Sequence, residues 1–170
     1  NFKDGKLDGK TIQYYLNGEI LERNFKDGKL DGKKTLYYVD GQIRWDGNYK
    51  DGELDGKMIQ NYENGQRESE GGFKDGEEDG KWTWYHKNGQ VKQEQENDEH
   101  VFYHENGQIW GEGNFKDGKW TWYHKNGQIQ DEVNYKDGKL DGKRITYHEN
   151  GQIQNVENYK DGKLIETKEY

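Results

Sequence analysis

The chain has 170 residues, 34 acidic and 26 basic, for a net charge of −8, and contains no cysteine and no proline. Nucleic acid and anionic membrane surfaces call for basic patches, so lysines interleaved with carboxylates disfavour both, and the missing thiols exclude disulfide frameworks and cysteine metal centres. Leu, Ile, Val and Phe together number only 27, too few for a thick two-layer core, yet aromatic residues recur at a fixed spacing that a disordered chain has no reason to keep.

Taken in order, the chain divides into units of about 24 residues: 1–23, 24–47, 48–71, 72–95, 96–113, 114–133 and 134–157, with a half unit at 158–170. The first unit is one residue short. The unit at 96–113 has lost its K-D-G-K-L-D-G-K phrase to E-N-D-E-H, and the unit at 114–133 runs from Gly118 and Lys119 directly into Trp120. Each unit reads as two strands of five to seven residues and two turns. Asn-Gly marks one turn, at Asn17-Gly18, Asn64-Gly65, Asn88-Gly89, Asn106-Gly107, Asn126-Gly127 and Asn150-Gly151, with Asp40-Gly41 as a variant. The expected geometry is type I′, with positive φ at both central residues. The second connection carries Asp-Gly twice, as at Asp27-Gly28 and Asp31-Gly32, with Leu30 between them to tuck under the loop. Short connections force neighbouring strands to pair antiparallel. The expected fold is all-β and free of helices: a single-layer, elongated antiparallel meander of tandem β-hairpins forming one continuous array over 1–170.

Strand periodicity places Tyr15, Ile20, Tyr38, Ile43, Trp45, Tyr62, Trp82, Trp84, His86, Phe102, His104, Ile109, Trp120, Trp122, His124, Ile129, His148 and Ile153 on one face. A thinner row of Ile12, Tyr14, Tyr37, Ile59, Tyr85, Tyr123, Ile145 and Tyr147 falls on the other. The carboxylates are read as solvated turn residues beside lysines.

The phrase D-G-K-x-x-G-K-x-x-x-Y-Y-x-N-G-Q-[IV]-x-x-E-G-N-[FY]-K resembles the bacterial variant of the MORN repeat, which is often found in proteins labelled as YwqK-type antitoxins. The likeness covers essentially the whole chain. It implies a hairpin-stacked single sheet that binds proteins or, in eukaryotic relatives, associates with membranes, and it implies no catalytic residues.

The most distinctive stretch lies around the shortened units. Trp82, Trp84, His86, Phe102, His104, Trp110, Trp120, Trp122 and His124 are the candidate partner-binding residues, because aromatic side chains give large rigid contact area with a polar handle. The competing expectation is that the larger rings fill space where loop residues were deleted. No metal site is expected. His100 and His104 are four strand positions apart, roughly 13 Å, whereas a zinc ligand sits about 2 Å from the ion. The D-G-K-x-D-G-K loops place lysine after each Asp-Gly and lack the terminal glutamate of a calcium loop. No catalytic motif and no cofactor fingerprint is present.

The functional expectation is a non-catalytic module for protein–protein interaction, antitoxin-like or a surface-exposed adhesion or scaffold protein. A carbohydrate or cell-wall binding module built on a Trp/Tyr platform and a structural spacer are the alternatives. The expected partner is another protein, a toxin or a surface protein, with open sheet edges available for end-to-end self-association. Nucleic acid and membrane insertion are not expected, since no apolar run approaches spanning length. The start at Asn1 inside a repeat suggests a processed or trimmed chain, from the bacterial cytoplasm or exported to the cell surface.

Overall fold

The computed structural model describes residues 1–170, all of them in strands, turns and short links, with no helix. The chain packs as two compact units, Asn1–Gly89 and Gln90–Tyr170. The first holds β1 (Phe2–Lys3), β2 (Lys6–Leu7), β3 (Gly9–Tyr14), β4 (Ile20–Lys26), β5 (Lys29–Tyr37), β6 (Ile43–Lys50), β7 (Glu53–Asn61), β8 (Arg67–Lys74) and β9 (Glu77–Tyr85). The second holds β10 (Val91–Glu96), β11 (Glu99–Tyr103), β12 (Ile109–Asn114), β13 (Gly118–Tyr123), β14 (Ile129–Lys136), β15 (Lys139–Tyr147), β16 (Ile153–Lys160) and β17 (Lys163–Glu169). In the first unit β3 to β9 form an antiparallel meander in chain order, with β1 and β2 pairing separately. In the second, β10 to β17 do the same. The expected all-β meander of tandem hairpins is the fold.

The turns are distributed the other way round from the expectation. Positive φ at both central residues occurs at the first Asp-Gly of the full-length loops, as at Asp27 (50°) and Gly28 (87°), so those are the two-residue type I′ hairpins, while at Asp117-Gly118 only the glycine has it. At the Asn-Gly turns only glycine has positive φ. There the loop has three residues: Gly41 N donates to Tyr38 O at 3.0 Å, and Tyr38 N donates to Gln42 O at 2.8 Å. That is a type I turn followed by a glycine in the left-handed region. The Asn or Asp oxygen locks it, as where Asp40 Oδ1 accepts from Gln42 N at 3.0 Å. The second Asp-Gly makes no turn at all. Gly32 (φ 97°) lies inside β5, where the register slips between Arg23 and Phe25, and Asn24 Nδ2 donates to Lys33 O. Strands β5 to β9 and β14 to β16 are therefore eight or nine residues long rather than five to seven, whereas β10 to β13, leading into and through the shortened units, have five or six.

A second register shift sits beside the three-residue turn in five hairpins. Leu36 opposes Trp45 but Tyr37 opposes Ile43, which leaves Arg44 as an extra, bulged residue. Glu68, Trp110, Gln130 and Gln154 occupy the same position in later hairpins. The first hairpin pairs Tyr14 with Ile20 and Gln13 with Leu21 without a shift. Its one missing residue is the bulge. The bulge also moves Ile43, Ile109, Ile129 and Ile153 opposite the tyrosines of the other face, and Ile20 opposes Tyr14 and Tyr37, so these isoleucines leave the row assigned to them by simple alternation.

In each unit the core is thin and lies on one face: Leu21 and Trp82 are the buried apolar side chains of the first, Trp120 and Val133 of the second. The other face is organised by carboxylates in mid-strand, not at turns. Tyr37 Oη donates to Glu22 and Tyr85 Oη to Glu70 in the first unit; Tyr103 donates to Glu94, Tyr123 to Glu112 and Tyr147 to Glu132 in the second. Lysines pair with the same row: Lys10 with Glu22, Lys33 with Asp46, Lys57 with Glu70 and Lys119 with Glu132. Half-burial plus the carboxylate partner push the Tyr103 and Tyr123 phenols up to about 12. Neighbouring loops are stitched as well, Gly52 N to Leu30 O and Gly76 N to Leu54 O in the first unit, Gly162 N to Leu140 O in the second.

Candidate functional site

The nine expected site residues fall into two groups, one in each compact unit. In the first, Trp82 and Trp84 stand two apart on β9 and project to the same face. Trp82 is only 5% exposed. Its ring meets Phe73 edge-on at 5.4 Å and stacks on Trp84 at 5.7 Å. The space it fills exists because Gly71 lacks a side chain, as a Cβ there would overlap the indole. Trp84 opposes Ser69 and is half-buried. His86 is half-buried at the hairpin end, with its carbonyl accepting from Gly89 N.

In the second unit the rings form one continuous cluster across β11 to β14. Register sets it up. Phe102 opposes Gly111, which opposes Trp122, and His100 opposes Gly113, which opposes Trp120. Two glycines thus lie between the aromatic positions of the flanking strands. Trp120 is fully buried and sits beside Val133 on β14. Its indole N–H has no hydrogen-bond partner, so ring packing alone holds it. Phe115, from the three-residue link after β12, lies flat on it with ring centroids 3.7 Å apart. Phe102 lies 5.8 Å and Trp122 5.6 Å from Trp120, and Trp110 packs 5.0 Å from Phe102. His100 stacks on Phe102, and Tyr135 closes the far side against Phe115.

The rings divide by burial. Trp82 and Trp120 fill the space left by small residues and missing loops. Trp84, Phe102, Trp110 and Trp122 remain half-buried and keep ring surface outward. Phe115, which the sequence did not single out, is 40% exposed and caps the buried indole. Its signal was available: in three full-length repeats the corresponding aromatic faces a loop leucine, Phe25 with Leu30, Tyr49 with Leu54 and Tyr135 with Leu140, and the short link after Phe115 has none.

The histidine positions have a structural role. His124 Nε2 lies 3.0 Å from Tyr147 O, one hairpin further on. Tyr38 Oη donates to Asn61 O and Tyr62 Oη to Tyr85 O at the corresponding places in the first unit. His104 occupies this hairpin-end position too, its backbone closing the turn with Gln108 and Gly107.

A helix-free meander of stitched hairpins with a half-covered aromatic face defines a β-hairpin repeat module. Six segments, 7–27, 54–75, 78–96, 99–117, 116–137 and 140–161, match the MORN repeat variant, and together they span more than half of the chain. The chain belongs to the MORN repeat variant family. Residues 28–53 lie outside these matches, yet β5 and β6 carry the same turn, bulge and pairing. Among curated proteins, none matches the chain. Repeats of this family are non-catalytic modules that bind proteins or membranes.

Proposed function

We propose that the chain is a non-catalytic, protein-binding repeat array, and that its second unit binds a partner through the aromatic cluster of β11 to β14. The observation that carries this reading is the arrangement of Phe102, Trp110, Phe115 and Trp122 as half-buried or exposed rings around the buried Trp120. Interaction hot spots have this build: rigid aromatic area anchored from below, its rim available to a partner. An antitoxin-like role with a toxin as partner and a surface scaffold role both use the same patch, and the acidic balance of the chain favours a basic partner.

The test is the double variant Trp110→Ala plus Trp122→Ala, compared with the parent in a pull-down from the native cell read by mass spectrometry. The expected result is loss of the captured partner with an unchanged β circular dichroism spectrum. Loss of the β spectrum would make these rings core and overturn the reading. Quenching of tryptophan fluorescence by a glycan, with no protein captured, would replace the protein partner by a carbohydrate.

A further inference from the structure

The Asn-Gly turns of the first unit border a cavity of about 520 Å³ lined by Tyr38, Tyr62, Glu63, Asn64, Glu68 and Lys87. A second cavity of about 330 Å³ shares Tyr38 and Glu63 with it and adds Val39, whose side chain is exposed, and Asp40. The two phenol rings are held by their own hydroxyls, which donate to Asn61 O at 2.7 Å and to Tyr85 O at 2.8 Å. Their faces are therefore fixed walls rather than mobile side chains.

Each ring already carries a cation, but from different sources. Over Tyr38 lies the Arg44 guanidinium, 5.7 Å from the ring centre, from the bulge of the same hairpin. Arg44 is also paired with Glu19 at 2.5 Å. One repeat further on, the bulge residue is Glu68, so Tyr62 has a carboxylate where Tyr38 has a guanidinium. Gln60 Nε2 donates to Glu68 at 2.7 Å and fixes that carboxylate. The cation over Tyr62 is instead the Lys87 ammonium, 5.8 Å away, reaching across from the next turn. Lys87 is exposed, on a flexible stem that exchanges positions readily. The cavity wall thus presents two carboxylates, Glu63 and Glu68, and two phenol faces against one ammonium.

We propose that this cavity is a seat for a guanidinium group, the side chain of an arginine presented by a partner chain, which stacks on Tyr62 and bonds the Glu68 carboxylate. Arg44, stacked on tyrosine and paired with glutamate, is the internal template for that geometry. A planar guanidinium satisfies both requirements at once, ring stacking and fork-like hydrogen bonding, whereas an ammonium is a hydrated point charge. The volume leaves room for the methylenes of the arginine stem. That the arginine comes from a partner chain rests on the protein-binding reading, but the seat itself does not, and methylguanidinium alone tests it.

The experiment is a titration of the full chain, with ring-labelled tyrosine, followed by NMR. The probes are methylguanidinium, N-acetylarginine methylamide and its lysine counterpart. The expected result is a saturable shift confined to Tyr38 and Tyr62, with the arginine probe binding more tightly than the lysine probe. Glu68→Gln should weaken the arginine probe about tenfold, and Lys87→Gln should tighten it severalfold by clearing the ring. Should Glu68→Gln disturb the fold, exposed Glu63→Gln provides the same reading with a smaller loss. Absence of saturation, shifts spread over all tyrosines, equal binding of the lysine probe, or full affinity in both glutamine variants would overturn the seat. Methylguanidinium binding without any effect of the aromatic double variant on partner capture would leave the seat standing and remove only the reading of the second unit.

Discussion

Within the second unit, the shortened repeats and the full-length repeat meet the same packing need with different parts. Over β14 to β17 the backbone does it. Strands run to seven to nine residues, the terminal aromatic faces a loop leucine, Tyr135 with Leu140 and Tyr159 with Leu164, and loops are stitched by Gly162 N to Leu140 O. Over β10 to β13 the strands shrink, and side chains take over: Phe115 folds flat on Trp120, and Phe102, Trp122, His100 and Trp110 gather around it. Deleting a loop from a hairpin repeat thus need not open the sheet. It transfers the load from main-chain pairing to ring stacking, and in doing so it concentrates aromatic surface at one place.

The contrast can be broken most forcefully at Trp120. Trp120→Ala removes a fully buried indole and should cost about 3–5 kcal/mol, measured by urea denaturation of the whole chain. Gly113→Ala should come close behind, because φ there is 136° and the added methyl would run into the Lys119 carbonyl. Phe115→Ala should cost about 2 kcal/mol and Leu140→Ala about 1 kcal/mol. If the leucine proved the more costly of the two, ring stacking would not substitute for the loop contact.

The carboxylate face sharpens the contrast at high pH. Tyrosine in an unfolded chain titrates near pH 10, while the Tyr103 and Tyr123 phenols are raised to about 12 by burial and by donation to Glu94 and Glu112. A folded value above the unfolded one means that their stabilisation is fully present below about pH 10 and is lost as pH rises through about 12. Tyr123→Phe should therefore remove one late-titrating phenol from a spectrophotometric titration and flatten the alkaline fall in stability. In the full-length repeat the smallest effect is expected from Arg144→Lys. Arg144 grips Asp131 through Nε at 2.9 Å and Nη2 at 2.6 Å, on a partly exposed surface, so loss of the fork should cost about 1 kcal/mol or less. Salt should shrink that difference further.

Much of this was legible in the sequence, and the gaps have physical causes. Asn-Gly and Asp-Gly located every hairpin except β10–β11, which turns at Asn97-Asp98, because both dipeptides favour a glycine in the left-handed region. They did not say which turn takes two residues and which takes three, since asparagine can either adopt positive φ itself or lock a type I turn through its side chain, as Asn17 does to Glu19 N. The bulge was invisible because its residue changes from repeat to repeat, as Arg44, Glu68, Trp110, Gln130 and Gln154, and with it went the true row of the isoleucines. The two identical W-T-W-Y-H phrases could be seen to carry a site or a core, but which indole is buried depends on Gly71 in one case and on Gly113, Val133 and Phe115 in the other. None of those partners lies within the phrase. The carboxylates looked like turn residues because lysine stands beside them in sequence, whereas strand register aligns them in mid-sheet under the tyrosines.

The bulged residue beside the three-residue turn in five hairpins has one more consequence. Register on either side of it is set by the turn and by the strand body, so its identity is free to vary without disturbing its neighbours. Along the first unit the slot reads arginine then glutamate, and along the second tryptophan, glutamine, glutamine. Each letter stands two strands from the next, about 10 Å. Within a scaffold of recurring turns and pairings, this position gives each unit an alphabet, written at a fixed pitch along its turn side.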